Sequence, residues 1–371
     1  MTTTGRDRLW WVDLLKALAA PLILLHHLAF YGPMSDHARE LAPALIDWLF
    51  SNARLAVQVF LVVAGFLAAR QLAPGGGVAP GLNPLVLLRE RWLRLLPAYA
   101  ATLGLALLSA AVARHWMDHR ATPTAPDLPQ VLAHLLMLQD LLGLEALSAG
   151  IWYLAIDLQL FALLALLLWA CDRVPPVSGR AADRSARRAA VTVALVALAS
   201  ALHFNLQPGG DIAAPYFFAA YGAGVLAAWA PRRGRPAVVW WSLALAAAAL
   251  SLHWAWRDRL ALALAVALAL AWLGHRPAPA ACPAWLRQGV TRLSTLSYAL
   301  FLVHYPVCLF VNAAFERFVP HAPALQALGL LVAVVLSLLA AVALHRWLEV
   351  PAARWLAARR HRAAAPALGM G

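Results

Sequence analysis

Apolar residues fall into ten long blocks along the chain, near 10–31, 45–70, 92–113, 148–171, 189–206, 213–230, 236–255, 259–274, 294–315 and 323–348. Each approaches the roughly 20 residues that an α-helix needs to cross a ~30 Å hydrocarbon core. Helices are expected rather than strands, because hydrocarbon offers no water to satisfy an open strand edge. The pattern therefore predicts an all-α, polytopic membrane helix bundle of about ten transmembrane helices. Two places are irregular. The block 189–206 is interrupted by His203 and Asn205, and a further apolar stretch at 131–142 is too short to span and reads as a re-entrant or interfacial piece. The first block follows Arg6 and Arg8, but it is too long for a signal peptide and lacks a small-residue cleavage site, so it reads as an uncleaved first helix.

The polar connections between blocks set an orientation. With the N-terminus in the cytoplasm, the two ends and the cytoplasmic connections carry 22 arginines, and the opposite connections carry 7, namely Arg39, Arg54, Arg114, Arg120, Arg257, Arg259 and Arg317. That asymmetry is what the positive-inside rule predicts for a ten-span protein with both termini cytoplasmic. Trp10, Trp11, Trp48, Trp92, Trp116, Trp229, Trp240 and Trp241 fall near block ends, as interfacial anchors do.

Composition agrees. At 63% hydrophobic and 13% charged residues the chain has too few polar side chains to cover a soluble globule of 371 residues. A net charge of +13 would suggest nucleic acid in a soluble protein, but here the arginines are spread over the connections and the basic balance is topological, so no nucleic-acid partner is expected. Cys171, Cys282 and Cys308 are far apart, which indicates neither a disulfide framework nor a zinc cluster, and no metal is expected. The Gly/Pro-rich stretch 74–84 and the Arg-rich stretch 174–188 both sit where cytoplasmic loops are required. A single membrane domain over 1–371, ending in a basic cytoplasmic tail at 355–371, is the simplest organisation.

Function has to come from polar residues placed where lipid makes them unfavourable. The first block holds Asp13, Lys16, His26 and His27, and Lys16 is the chain's single lysine. Eleven residues separate Lys16 from His27, close to three helical turns or roughly 16 Å, so both side chains share one face. A cation low on that face and an imidazole higher up would line one channel. The ordinary alternative is that Lys16 snorkels to the headgroups while the histidines bond within the bundle.

These residues carry a resemblance. Val12 to Ala19, running on to His27, resembles the opening of the acyltransferase 3 family of membrane acyltransferases, with Lys16 where the family usually has arginine and His27 at the position of the proposed catalytic histidine. Phe60 to Leu67 is similar to the second-helix signature, with Ala64 replacing a common serine. Arg91-Trp92-Leu93-Arg94 before Pro97 resembles the Arg-x-x-Arg motif, and Trp152 to Asp157 resembles Trp-x-Leu-x-x-Glu shortened to aspartate. Ser297 to Pro306 and Leu348 to Pro351 resemble the late helix and the closing motif. The resemblance spans essentially the whole chain.

It implies transfer of an acyl group, acetyl by default, from acyl-CoA in the cytoplasm to a hydroxyl, at a multi-pass protein of the plasma membrane with no permanently bound cofactor. Arg91 and Arg94, at three-residue spacing, would hold the coenzyme A phosphates together with Lys16. His27 is the expected base, with Asp157 either orienting its imidazole or pairing with an arginine. His26, Asp13, Trp152, His304 and Glu349 are expected along the substrate channel, Glu349 pairing with an arginine at its base. The acceptor is open among glycans, lipid-linked sugars and small hydroxylated molecules, a cell-envelope glycan or lipid-linked sugar being the first expectation. A proton-coupled transporter is the alternative, since intramembrane His, Asp and Lys also build proton relays.

Overall fold

The computed structural model describes residues 8–78, 81–120, 122–173, 181–231 and 234–364. Arg6, Arg180, Arg232, Arg233 and residues 365–371 of the basic tail lie outside them. Among the described residues there is no strand, and 81% of the chain is helical.

In chain order the helices are α1 (Trp10–Phe30), α2 (Pro33–Ala38), α3 (Pro43–Asn52), α4 (Ala56–Leu72), α5 (Pro84–Trp116), α6 (Leu128–Leu135), α7 (Ile151–Arg173), α8 (Ala181–Leu202), α9 (Ala214–Trp229), α10 (Gly234–Trp254), α11 (Asp258–Leu273), α12 (Ala284–Phe318), α13 (Pro323–Leu344) and α14 (Val350–Ala364). Among the described residues, eight helical stretches are long and apolar enough to cross a membrane, with α3 and α4 forming one of them through a short 3₁₀ turn. Every predicted block is helical. Two of them, α9 and α11, are only 16 residues long, about 24 Å at ~1.5 Å per residue, and fall short of that criterion.

Local chemistry accounts for the boundaries. Pro84 opens α5 at a position where its missing N–H is harmless, and Asn83 caps it by accepting from the amides of Leu85 at 3.1 Å and Val86 at 3.3 Å. α5 and α12 therefore start well before their apolar blocks. α8 stops at Leu202, so the polar His203 and Asn205 fall in a turn outside it, where Asn205 donates to the carbonyl of Tyr216 at 2.9 Å. The short stretch at 131–142 does not span. It forms α6 and a run of turns, fixed by buried His134, which bonds the carbonyl of Gln130 at 2.7 Å and accepts from the amide of Leu147 at 3.1 Å. Trp92 and Trp229, read as anchors, tie helices to the ends of neighbouring helices by donating to the carbonyls of Leu135, the last residue of α6, and Ala73, just after α4.

α12 packs against α1, α5 and α13, and α4 packs against α9. The α4–α9 contact depends on two glycines in antiparallel register. Gly65 lies against the backbone carbonyl of Tyr221, and Gly224 against that of Val62, leaving no room for a Cβ at either position. Membrane helices lack a hydrophobic drive toward one another, so such close backbone approach supplies much of their attraction. Gly65→Ala and Gly224→Ala are each expected to destabilise the protein by about 1–3 kcal/mol through overpacking. Gly104→Ala, on α5 with nothing near its added methyl, is expected to leave thermal unfolding in detergent unchanged or slightly raised.

Candidate active site

Two cavities approach each other inside the bundle. The first, about 650 Å³, is lined by Lys16, Arg91, Arg94, Tyr153, Asp157 and Glu349 among others. It lies toward the end where α1 begins. The second, about 760 Å³, is lined by His26, His27, Arg54, Trp152, Tyr216 and Arg257 among others, at the opposite end of α1. One side chain, Phe301, lines both. Its ring stands 5.0 Å from Tyr153 and 6.0 Å from Phe60, and those two rings are 6.1 Å apart, so three aromatics from α4, α7 and α12 meet in a triangle between the cavities.

At this boundary the histidines of α1 and α12 come together. His27 Nδ1 lies 2.5 Å from His304 Nε2, and both rings are buried and nearly parallel. His304 Nδ1 lies 2.9 Å from the carbonyl of Leu300. A carbonyl only accepts, so this contact puts the His304 proton on Nδ1 and leaves Nε2 as an acceptor in the neutral ring. His27 must then donate from Nδ1. Its other nitrogen, Nε2, keeps its lone pair beside the second cavity, as a general base requires. One backbone carbonyl thus fixes two tautomers in series. Gly150, just before α7, lets that segment pack closely on α12, since a Cβ there would stand 3.0 Å from the Phe301 carbonyl.

Asp157 does not reach this pair. It meets Arg91 at 2.6 Å, so of the two roles considered for it the structure realises the ion pair, and the group that orients His27 is His304. The geometric reason is that α7 carries Asp157 against α5 on the Lys16 side of the aromatic triangle. Arg91 also lies 4.4 Å over the ring of Phe161, with its side chain only 14% exposed, which makes it a wall of the cavity rather than an open cation. Arg91 Nε and Asp157 Oδ1 are buried without hydrogen-bond partners among the described residues, so the pair is singly bonded rather than a fork.

Of the residues expected along the channel, His304 and Asp13 line neither cavity, His304 being buried behind His27, and the others divide between the two. Lys16 and Arg94 line the first, and among the described residues no carboxylate comes within 4.0 Å of the lysine. Glu349 lines it too, but its partner is His345 at 2.6 Å, across a π-helical turn, and not an arginine. That wide turn directly precedes Pro351, which has no N–H to continue the α-helical pattern. Asp13 accepts from Ser294 at 2.5 Å and lies 3.9 Å from Arg8, a tie between α1 and α12 and not part of either cavity lining. His26 bonds the carbonyl of Leu49 at 3.1 Å while lining the second cavity, where Trp152 rests against Phe217.

Sequence reasoning passed over Tyr153, Tyr298 and Phe301, whose spacing marks only helix, and also Arg54, Arg257 and Arg259. The arginines had a signal. They are exceptions to the positive-inside rule, and all three line the second cavity, whereas Arg39 is paired with Asp47 and Arg114 with loop carbonyls. Arg257 donates to Asn205 at 2.8 Å, and burial followed by the charge of Arg259 lowers its pKa from the usual arginine value.

Residues 9–346 match the family model described as an acyltransferase domain. The chain belongs to the acyltransferase 3 family. It is a multi-pass membrane acyltransferase, and this membership does not favour the transporter alternative. No curated protein and no solved structure gives a significant match.

The buried pair makes a prediction about this acyltransferase. Arg91→Leu or Asp157→Leu alone leaves one charge uncompensated in the interior and is expected to lower stability by roughly 3–5 kcal/mol. The double variant is expected to recover most of that loss in thermal unfolding.

Proposed function

We propose that this acyltransferase moves an acyl group, acetyl by default, from cytoplasmic acyl-CoA to a hydroxyl of a cell-envelope glycan or lipid-linked sugar. The carrying observation is the placement of a tautomer-fixed histidine pair on one side of a single aromatic boundary, with Lys16 and Arg94 lining a cavity on the other. In this reading the bundle spans the plasma membrane ten times with both ends cytoplasmic, α9 and α11 crossing as short helices. The first cavity then opens to the cytoplasm. The phosphates of coenzyme A bind near Lys16 and Arg94, and the thioester arm passes Phe301 toward His27.

The second cavity suits a sugar. Trp152 offers an aromatic surface, and Arg54, Gln58 and Asp140 offer donors and acceptors for hydroxyls. His27 Nε2 removes the proton of the attacking hydroxyl as its oxygen bonds to the thioester carbonyl carbon. Arg54 is available to the developing oxyanion. Collapse breaks the carbon–sulfur bond, and the thiolate takes the proton back from His27. While His27 is an imidazolium, its Nδ1–H remains bonded to His304, which Leu300 holds in place.

The test compares wild type with His27→Ala in nanodiscs for release of free coenzyme A from acetyl-CoA in the presence of membrane glycan extract. Loss of about 10²–10⁴-fold in rate at unchanged folding is expected. Equal release from both proteins would remove His27 from the chemistry. His304→Ala is expected to lower kcat with little change in KM for acetyl-CoA, and His304→Gln, which keeps an acceptor for His27, to restore part of the rate. Phe301→Ala is expected to raise the rate with butyryl-CoA relative to acetyl-CoA, because it widens the passage between the cavities.

A further inference from the structure

At the end of the bundle that carries the second cavity, three side chains from separate segments converge. His37 ends α2, Glu316 lies in the last turn of α12, and His321 sits in the connection between α12 and α13. Their donor atoms all lie within 4.8 Å of one another. The imidazoles of His37 and His321 are stacked with centroids 4.5 Å apart, and His321 Nε2 is 3.3 Å from Glu316 Oε2. That oxygen is buried and makes no hydrogen bond, and imidazole nitrogens beside it can, like it, present a lone pair to a cation.

The frame around the cluster is already fixed by other contacts. Met34 donates its amide to Asn312 Oδ1 at 3.2 Å, and Ser35 donates to the carbonyl of Gly32 at 2.9 Å. Asn312 and Glu316 are one turn apart on α12, as Met34 and His37 are on α2, so the bond that seats α2 on α12 also brings His37 level with Glu316. His321 closes the group from the connection. Its side chain is about half exposed, which leaves it free to rotate.

We propose that His37, Glu316 and His321 form a binding site for a divalent zinc-class cation. Two imidazoles and one carboxylate are a donor set that zinc takes at about 2.0–2.2 Å, with a fourth position for water. Donors around a tetrahedral zinc stand about 3.3 Å apart, the separation between His321 and Glu316, and rotation of the half-exposed His321 ring lets the three donors close on one ion. Bound there, the cation clips α2 to α12 and the start of α13. α2 directly follows Tyr31, whose ring lies 5.4 Å from His27, so the clip steadies the rim of the cavity that the histidine pair serves. No metal-ligand spacing marks this site along the chain, because His37 and His321 come from opposite ends of it.

The test uses the full chain, purified without a polyhistidine tag, stripped with chelator and held in nanodiscs. Titration with zinc chloride, followed by calorimetry and elemental analysis, is expected to show one saturable zinc per chain and a rise in Tm that magnesium chloride does not produce. His37→Ala, His321→Ala and Glu316→Gln are each expected to weaken zinc binding at least about tenfold. His119→Ala, which alters a histidine beside Asp36 outside the cluster, is expected to bind as the wild type does. His321 is exposed, so its variant keeps the fold, and size exclusion checks this. Absence of saturable binding, or unchanged binding in the His37→Ala/His321→Ala double variant, overturns the proposal.

Discussion

An ionisable side chain inside hydrocarbon is favoured only where it faces a cavity, as Lys16 does, or a partner, and three such partnerships in this bundle join different helices. Asp13 meets Ser294 and His27 meets His304, both between α1 and α12, while Arg91 meets Asp157 between α5 and α7. Each contact removes an unsatisfied polar group and in doing so fixes the relative height of two helices. Two such contacts along the α1–α12 seam hold it at both levels, so the imidazoles face each other in one register. The glycine pair between α4 and α9 brings those helices equally close by van der Waals contact alone.

The same rule separates the chemistry into compartments. The Arg91–Asp157 pair belongs to the cavity that Lys16 lines, and His27, with His304 buried behind it, belongs to the other. Phe60, Tyr153 and Phe301 close the space between them with uncharged rings, of which only Tyr153 carries a polar group. In the proposed reaction a thioester is apolar enough to pass such a boundary, whereas coenzyme A phosphates and a sugar are not. The division therefore fits a reaction whose two substrates arrive from opposite sides and meet only at the group transferred.

The site also shows how a backbone can set the protonation of a side chain. Nothing in the residue types of His27 and His304 says which nitrogen bears the proton. The carbonyl of Leu300 decides it for His304, and His304 decides it for His27. A carboxylate in the place of His304 would orient the ring as well but would add a charge to the interior. A second neutral imidazole orients it without one.

Much was legible in the sequence. The apolar blocks determined an all-helical membrane protein, because span length is set by bilayer thickness and needs no knowledge of neighbours. The motifs around His27, Arg91, Trp152 and His304 determined the family, because they lie in local runs. Pairing was not legible. Lys16, Arg91 and Asp157 carry the right charges for one cavity, but which charge meets which depends on the height and rotation of α1, α5 and α7, set by contacts between distant residues. The partner of His27, the triangle around Phe301 and the meeting of His37 with Glu316 and His321 were decided by tertiary structure alone, since helical periodicity gives the face a residue occupies and not the helix that face will touch.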